Sequence, residues 1–344
     1  MKALVLEQYH QLTYKDVPEP QIQPDEVLVQ VKACGICGSD VHGIDGSTGR
    51  RVPPIIMGHE ASGVIVDVGR EVRSWQNGDR VTFDCVVHCG QCYFCQRGLI
   101  NLCDQRRWIG VSLPASRTNG AFAEYVAVPQ QVLHRLPDGM PDPRAALMET
   151  LSIAFHGVKR VPLALHDSAV VVGAGMIGLL TIQLLKIAGC SQIIAVDSQP
   201  ARLDLARRFG ATLGLRSDID DVSTIVAQCT NGRGADVGFE VVGLTPTIGM
   251  AIASVRKGGA LSLIGNFAPT VELPLQDVVL RQLSLFGSAN AVDEQDACLE
   301  LLASGAVNVD DMISAVAPLS EGAAWFDRLY QREPGLMKVI LEPG

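Results

Sequence analysis

Ala169-Val170-Val171-Val172 is an unbroken apolar run, and Gly173-Ala174-Gly175-Met176-Ile177-Gly178 follows it at once. The run predicts a buried strand, and the apolar stretch after Gly178 predicts a helix, so the glycines fall in a strand-to-helix turn. In that setting Gly173 permits the tight turn, Gly175 lets backbone approach a pyrophosphate, and Gly178 allows close helix–strand packing. The free N–H groups and positive end of the helix then face the phosphates. Nineteen residues past Gly178, Asp197 ends the next predicted strand, where a carboxylate accepts hydrogen bonds from a ribose 2′-OH and repels a 2′-phosphate. This favours NAD over NADP. Arg202 lies nearby and suits either adenine stacking or its own helix. Val242, Gly265 and Ala289 complete the candidate cofactor-binding residues.

Around this motif the chain changes texture. Before about residue 150, short β-type runs are broken by Gly and Pro, as in 26–31, 62–69 and 80–83. They predict an antiparallel, barrel-like β domain, with long loops at 34–60 and 85–120 that carry most of the Cys and His. After 150, strands at 169–172, 192–196, 237–241, 260–264 and 283–286 alternate with helices near 176–188, 200–209 and 220–228. That alternation is the signature of parallel βαβ units. A closing strand at 337–341 suits a return to the first domain. The expected division is 1–153, 154–290 and a C-terminal segment 291–344, in keeping with 344 residues being long for one core.

Hydrophobic residues make up 47% and charged residues 19%, which is globular rather than disordered, and the net charge of −9 argues against a nucleic-acid partner. The apolar run 169–185 is interrupted by Gly, Thr and Gln and is short for a bilayer, so no membrane span is expected. The apolar start after Met1 is too short for a secretion signal, which predicts a cytoplasmic, reducing environment. There, Cys89, Cys92, Cys95 and Cys103 read as metal ligands rather than disulfides. Four thiolates close a tetrahedral zinc site with no open position, which makes it structural. Cys85 and His88 flank the set and are not expected to be ligands.

The segments Cys37-Gly38-Ser39-Asp40-Val41-His42 and Gly58-His59-Glu60 carry ligand types suited to a second zinc. Cys37 and His59 are too far apart for a local clip, so the fold must bring them together. These segments, the four-cysteine lobe and Gly173–Gly178 occur in the order found in zinc-containing medium-chain dehydrogenases, and the resemblance spans essentially the whole chain. Gly35–His42 and Gly58–Gly63 look most like the sorbitol (L-iditol) and galactitol-phosphate dehydrogenase branch. Glu149, ahead of Leu151–His156, matches a glutamate where other alcohol dehydrogenases place a cysteine ligand.

The resemblance implies an α/β protein with a GroES-like β-barrel catalytic domain and a doubly wound Rossmann domain. It implies Cys37 and His59 as ligands of a catalytic zinc, completed by Glu60 or Glu149, with Asp40 behind His59. It also implies that Ser39 passes the hydroxyl proton, through the cofactor ribose, towards His42 and water. Nicotinamide, zinc and substrate are expected to meet between the domains. The expected reaction is oxidation of a secondary alcohol of a polyol to a ketose, with hydride transfer to NAD. Related zinc dehydrogenases of simple alcohols, 2,3-diols or L-threonine are alternatives, as is a catalytically silent nucleotide-binding or redox-sensing protein. A homodimer or homotetramer is expected, with 260–267 and 283–289 as candidate interface strands. The chain departs from the branch in three places. Gly43 stands where an aromatic residue usually follows the histidine, Thr150 where a proline follows the glutamate, and Asn290 near the place of a substrate-side arginine.

Overall fold

The computed structural model describes residues 1–344 apart from 114 and 115, which belong to the long 85–120 segment. It divides into two compact units. One comprises Met1–Glu149, Gln295–Gly305 and Val309–Gly344, and the other Thr150–Glu294 with Ala306–Asn308.

The first unit is built on a seven-stranded sheet. Its order is Leu133–Arg135, Arg80–Phe83, Glu60–Val68, Glu26–Gly35, Lys338–Glu342 and Ile313–Pro318, with Tyr125–Pro129 also paired to Glu26–Gly35. Glu26–Gly35 is the organising strand, because its antiparallel partners are Glu60–Val68, Tyr125–Pro129 and Lys338–Glu342. Its Val27, Val29 and Val31 alternate into a core shared with Leu4, Leu6, Ile65, Phe83, Phe122, Phe326 and Leu341. The closing strand joins at its far end, pairing Ile340 with Gly35 and Leu341 with Cys34. Thus the ends of three strands, near residues 35, 60 and 338, come together.

The two long predicted loops contain elements too short for periodicity to register. Gly38–Val41 is a single helical turn, and the 85–120 segment carries two- and three-residue strands and the 3-10 turns Cys95–Arg97 and Ile100–Leu102.

The second unit holds a six-stranded parallel sheet in the order Leu213–Arg216, Gln192–Asp197, Ser168–Val172, Ala235–Glu240, Val255–Leu263 and Ser284–Gly287. Counted along the chain this is 3-2-1-4-5-6, the doubly wound Rossmann arrangement. All five residues of Ser168–Val172 are buried, as a central parallel strand covered on both faces requires. The helices Met176–Ile187, Pro200–Phe209 and Val222–Cys229 follow their strands as the alternation predicts. Two boundaries move for local reasons. The third helix starts at Val222 because the Asp221 carboxylate caps it, accepting from Thr224 N–H at 3.2 Å. The strand expected from 260 begins at Val255, because Gly258 (φ +67) marks a register shift within the strand rather than a turn before it. Among the described residues, no helix is long and apolar enough to cross a membrane.

Candidate active site and metal centres

Cys37 occupies the N-cap of the Gly38–Val41 turn, with extended backbone (φ −83, ψ 148). The turn leaves Ser39 exposed and drives Asp40 into the interior, where it is fully buried. His59 and Glu60 sit at the start of the strand Glu60–Val68, directly after Gly58. Gly58 has φ +94, and a Cβ there would lie 2.8 Å from the Phe122 nitrogen, so glycine is required. Glu60 pairs with Gly35 across the sheet, and a Cβ on Gly35 would meet Glu60 Oε2 at 2.4 Å. The missing side chain of Gly35 is therefore the space in which the Glu60 carboxylate lies.

This arrangement brings ligand atoms of Cys37, His59 and Glu60 all within 4.8 Å of one another. Glu149 stands apart from that trio. It is buried at the start of the helix Met148–Lys159, with Oε1 3.6 Å from Cys85 Sγ. Burial pushes its carboxyl up to about 7, with the negative charges of Glu60 and Asp84 adding to the shift and His59 opposing it. Burial also drives the Cys85 thiol well above its ordinary value, so it remains a neutral donor to that carboxylate.

Asp40 contacts both sides of the trio. Its Oδ1 lies 3.4 Å from His59 Nδ1, and its Oδ2 accepts from the Cys37 backbone N–H at 3.3 Å. Burial alone would raise its pKa, but the charges of His59 and Arg51 hold it well below the usual carboxylate range. His59 is pulled up, against its burial, by Asp40 and Cys37.

Two buried cations were not found by sequence reasoning. Arg51 donates to Asp40, and Lys338 Nζ donates to Glu60 Oε2 at 2.6 Å and to the Ile36 carbonyl at 3.0 Å. Arg51 lies 11 residues from Asp40 and Lys338 lies 278 from Glu60, in segments without a motif. Their charges offset two carboxylates and leave a third, together with the Cys37 thiol, in a buried space. Thiol, imidazole and carboxylate are the donors that zinc takes, and a divalent cation neutralises the remaining charge. The residues present fit a zinc ion.

The four-cysteine lobe fits a second one. Sulfurs of Cys89, Cys92, Cys95 and Cys103 lie within 4.8 Å of one another, and all ten cysteines are free thiols. Gly90 and Gly98 adopt φ +73 and +74, the left-handed turns that fold the segment back on itself. Backbone N–H groups of Cys89 and Gln105 point at Cys103 Sγ, each at 3.3 Å. Others, led by that of Cys95, hold the Cys92 thiol down to about 6, whereas burial and the sulfurs of Cys92 and Cys103 push the Cys95 thiol up to about 12.

In the second unit, Gly175 caps the helix Met176–Ile187, with Met176 and Ile177 in its first turn. A Cβ on Gly178 would sit 1.8 Å from the Gly173 carbonyl oxygen, whereas nothing lies within 4 Å of one on Gly175. The first glycine is thus needed for packing and the second leaves open space for an approaching group. Asp197 ends its strand with Oδ2 accepting from Ala174 N–H at 2.8 Å and Oδ1 from Gln199 N–H at 2.9 Å. Arg202 Nη1 stands 3.6 Å from it. Val242 and Gly265 follow the carboxyl ends of Ala235–Glu240 and Val255–Leu263, and Ala289 follows Ser284–Gly287, the side of a parallel sheet on which ligands bind.

A Rossmann sheet with a glycine turn, joined to a β unit carrying two zinc donor sets, defines the class as a metal-dependent oxidoreductase. Residues 23–138 match the alcohol dehydrogenase GroES-like domain and residues 177–304 the zinc-binding dehydrogenases. D-arabitol-phosphate dehydrogenase of Enterococcus avium is 34% identical over 97% of this chain and 94% of its own. Sorbitol dehydrogenase of Bacillus subtilis is 32% identical over 100% and 98%. The crystal structure of galactitol-1-phosphate dehydrogenase from Escherichia coli superimposes with a TM-score of 0.92, at 26% identity and full coverage of both chains. The chain belongs to the zinc-binding dehydrogenase family and is an oxidoreductase.

Proposed function

We propose that this enzyme oxidises a secondary alcohol of a polyol or polyol phosphate to the ketone, with NAD as hydride acceptor. The observation that carries the reading is the Cys37–His59–Glu60 donor set, gathered within 4.8 Å. When bound, zinc supplies the Lewis acidity that acidifies an alcohol, and the nicotinamide supplies the hydride acceptor.

The protein's own groups then have distinct tasks. Cys37 and His59 hold the metal, and a carboxylate completes the set, Glu60 being the one gathered with them while Glu149 lies in the same buried region. Asp40 Oδ1 faces His59 Nδ1 at 3.4 Å, which leaves Nε2 for the metal and sets a negative charge behind the ring. Ser39 Oγ, exposed and 3.3 Å from Cys37 Sγ, would accept the hydroxyl proton of a bound alcohol as it releases its own hydrogen towards the cofactor ribose. His42 is the outer acceptor. Partial burial, with help from the Arg332 charge, lowers its pKa, which keeps the imidazole neutral and able to receive a proton. Cys89, Cys92, Cys95 and Cys103 hold a second, structural zinc.

Gly173, Gly175 and Gly178 with the helix behind them suit a pyrophosphate, and the Asp197 carboxylate suits ribose hydroxyls over a 2′-phosphate. The names of the relatives support a polyol, free or phosphorylated, as substrate. We also assign a second copy of the chain as partner. The strand Ser284–Gly287 is an edge of its sheet, and Phe267, Leu275, Val279 and Leu280 are exposed apolar residues of the same unit.

The test is NADH formation at 340 nm across sorbitol, galactitol, xylitol, their phosphates, 2,3-butanediol and short alcohols. Turnover confined to one or two polyols supports the reading. Turnover on short alcohols or the diol alone replaces it with a simpler alcohol dehydrogenase.

A further inference from the structure

Arg51 is 3% exposed and makes four hydrogen bonds, none of which the assigned chemistry uses. Its Nε and Nη2 donate to the same Asp40 oxygen, Oδ1, at 3.0 and 2.8 Å, and Nη1 donates to the Arg50 carbonyl at 3.0 Å. The remaining bond runs from Nη2 to Ser39 Oγ at 3.2 Å. Asp40, in turn, faces the His59 ring with Oδ1 and holds the Cys37 backbone with Oδ2. One guanidinium is therefore tied, through one carboxylate, to both non-carboxylate members of the donor set, and directly to the serine beside them.

The space for this side chain comes from Gly43. A Cβ on Gly43 would lie 2.3 Å from Arg51 Cγ and 3.1 Å from Arg51 Cβ. These are stem atoms close to the backbone, and the backbone of Arg51 is pinned, bridging to Ser112 while Ser112 N–H donates to the Arg50 carbonyl. Arg51 cannot move aside, so a side chain at 43 and this position of Arg51 exclude each other.

We propose that Arg51, seated in the space left by Gly43, is a positioning residue of the metal centre: it clamps Asp40 and so fixes Cys37 and His59 for the metal, while its bond to Ser39 Oγ aims that hydroxyl. The geometry of the bonds sets the direction of Ser39. Because Arg51 has only donors, Ser39 Oγ must accept from it, and the serine hydrogen is directed elsewhere, here to Cys37 Sγ. Lysine is not an equivalent replacement, since a single ammonium lacks the planar fork that reaches Asp40, Ser39 and the Arg50 carbonyl together.

This inference rests on Cys37 and His59 holding a metal, and the experiment separates the two claims. Zinc is counted in the purified enzyme, its release to a chelator is timed, and the exchangeable ion is replaced by cobalt(II) for absorption spectroscopy. Two zinc ions in the parent, with one lost on Cys37→Ser, establish the site itself. Their absence sinks the site and this proposal with it. Given the site, Arg51→Met should speed release of that one zinc by about 10- to 100-fold, the usual effect of removing a group that supports a metal ligand. It should also shift the cobalt d–d bands, while the four-cysteine zinc stays bound as an internal sign of folding. Arg51→Lys should fall between parent and Arg51→Met, and it carries the test if the methionine variant does not fold. Gly43→Ala should act in the same direction in the presence of Arg51 and add little in its absence. Release rates and cobalt spectra unchanged in the arginine variants overturn the proposal and leave Arg51 a charge partner of Asp40 only.

Discussion

Lys338 Nζ lies 2.6 Å from Glu60 Oε2, with both side chains buried and the two residues 278 positions apart in the chain. The contact exists because the closing strand Lys338–Glu342 pairs beside Gly35, the residue across from Glu60. In the metal-free protein, Lys338→Met leaves a buried carboxylate without its cation and is expected to cost about 3–5 kcal/mol in denaturant unfolding. Adding Glu60→Gln should recover part of that loss. A methionine variant within about 1 kcal/mol of the parent would mean that the pair does not hold the strand in place.

Glu294 gives the second unit an acid-sensitive point. Burial would raise its pKa, but hydrogen bonds from His156 and the Val292 backbone and the Lys159 ammonium take it down to about 2. A carboxyl whose folded pKa lies below its ordinary 4.5 contributes stability that is complete above that value and is lost as pH falls towards 2. Glu294→Gln should lower stability at pH 7 by roughly 1–3 kcal/mol and flatten the decline between pH 4.5 and 2. Urea midpoints at a series of pH values check this, and parallel curves for the two proteins would refute it.

The cysteine lobe is predicted to depend on its metal. Cys103→Ser should bind one zinc fewer per chain and become open to proteolysis between residues 89 and 105. The parallel sheet of the second unit, which shares no residue with the lobe, should keep its protection from hydrogen exchange. Unchanged zinc content would show that the four sulfurs do not form a closed site.

Asp197 is expected to set cofactor choice. Asp197→Ala should raise kcat/KM with NADP relative to NAD by about tenfold or more, since it removes both an acceptor for ribose and a charge that repels phosphate. Gly178→Ala, whose added carbon falls 1.8 Å from the Gly173 oxygen, should weaken binding of either dinucleotide or unfold the second unit. An unchanged cofactor ratio in the Asp197 variant would move the discrimination to Arg202 or elsewhere.

Much of the architecture was written in local patterns. The apolar run 169–172, its glycine turn and the strand–helix alternation after it depend on neighbours in sequence, and the sheet follows them closely. The four cysteines were legible because their loop closes over a short span. His59 and Cys37 needed the resemblance to a family, as spacing alone does not bring them together. Arg51, Lys338 and the neighbour relation of Cys85 and Glu149 were not legible at all. Each is a buried partner reached across the sheet or from a distant segment, and a lone Arg, Lys or Cys in a sequence carries no sign of what will face it. The meaning of Gly43 was hidden for the same reason. In the sequence it is a departure from the sorbitol branch, a glycine in the place of an aromatic residue, whereas in the fold it is the space that Arg51 fills.

The central claim is that alcohol oxidation depends on a metal held by Cys37 and His59. Its most direct test measures zinc content and NADH formation together, on the best polyol of the panel, in the parent and in Cys37→Ser. The account predicts two zinc ions in the parent, one in the variant, and a fall in kcat/KM of more than about 100-fold, beyond what loss of a merely supporting residue causes. A variant that loses no zinc, or that turns over at the parental rate with one, would contradict it.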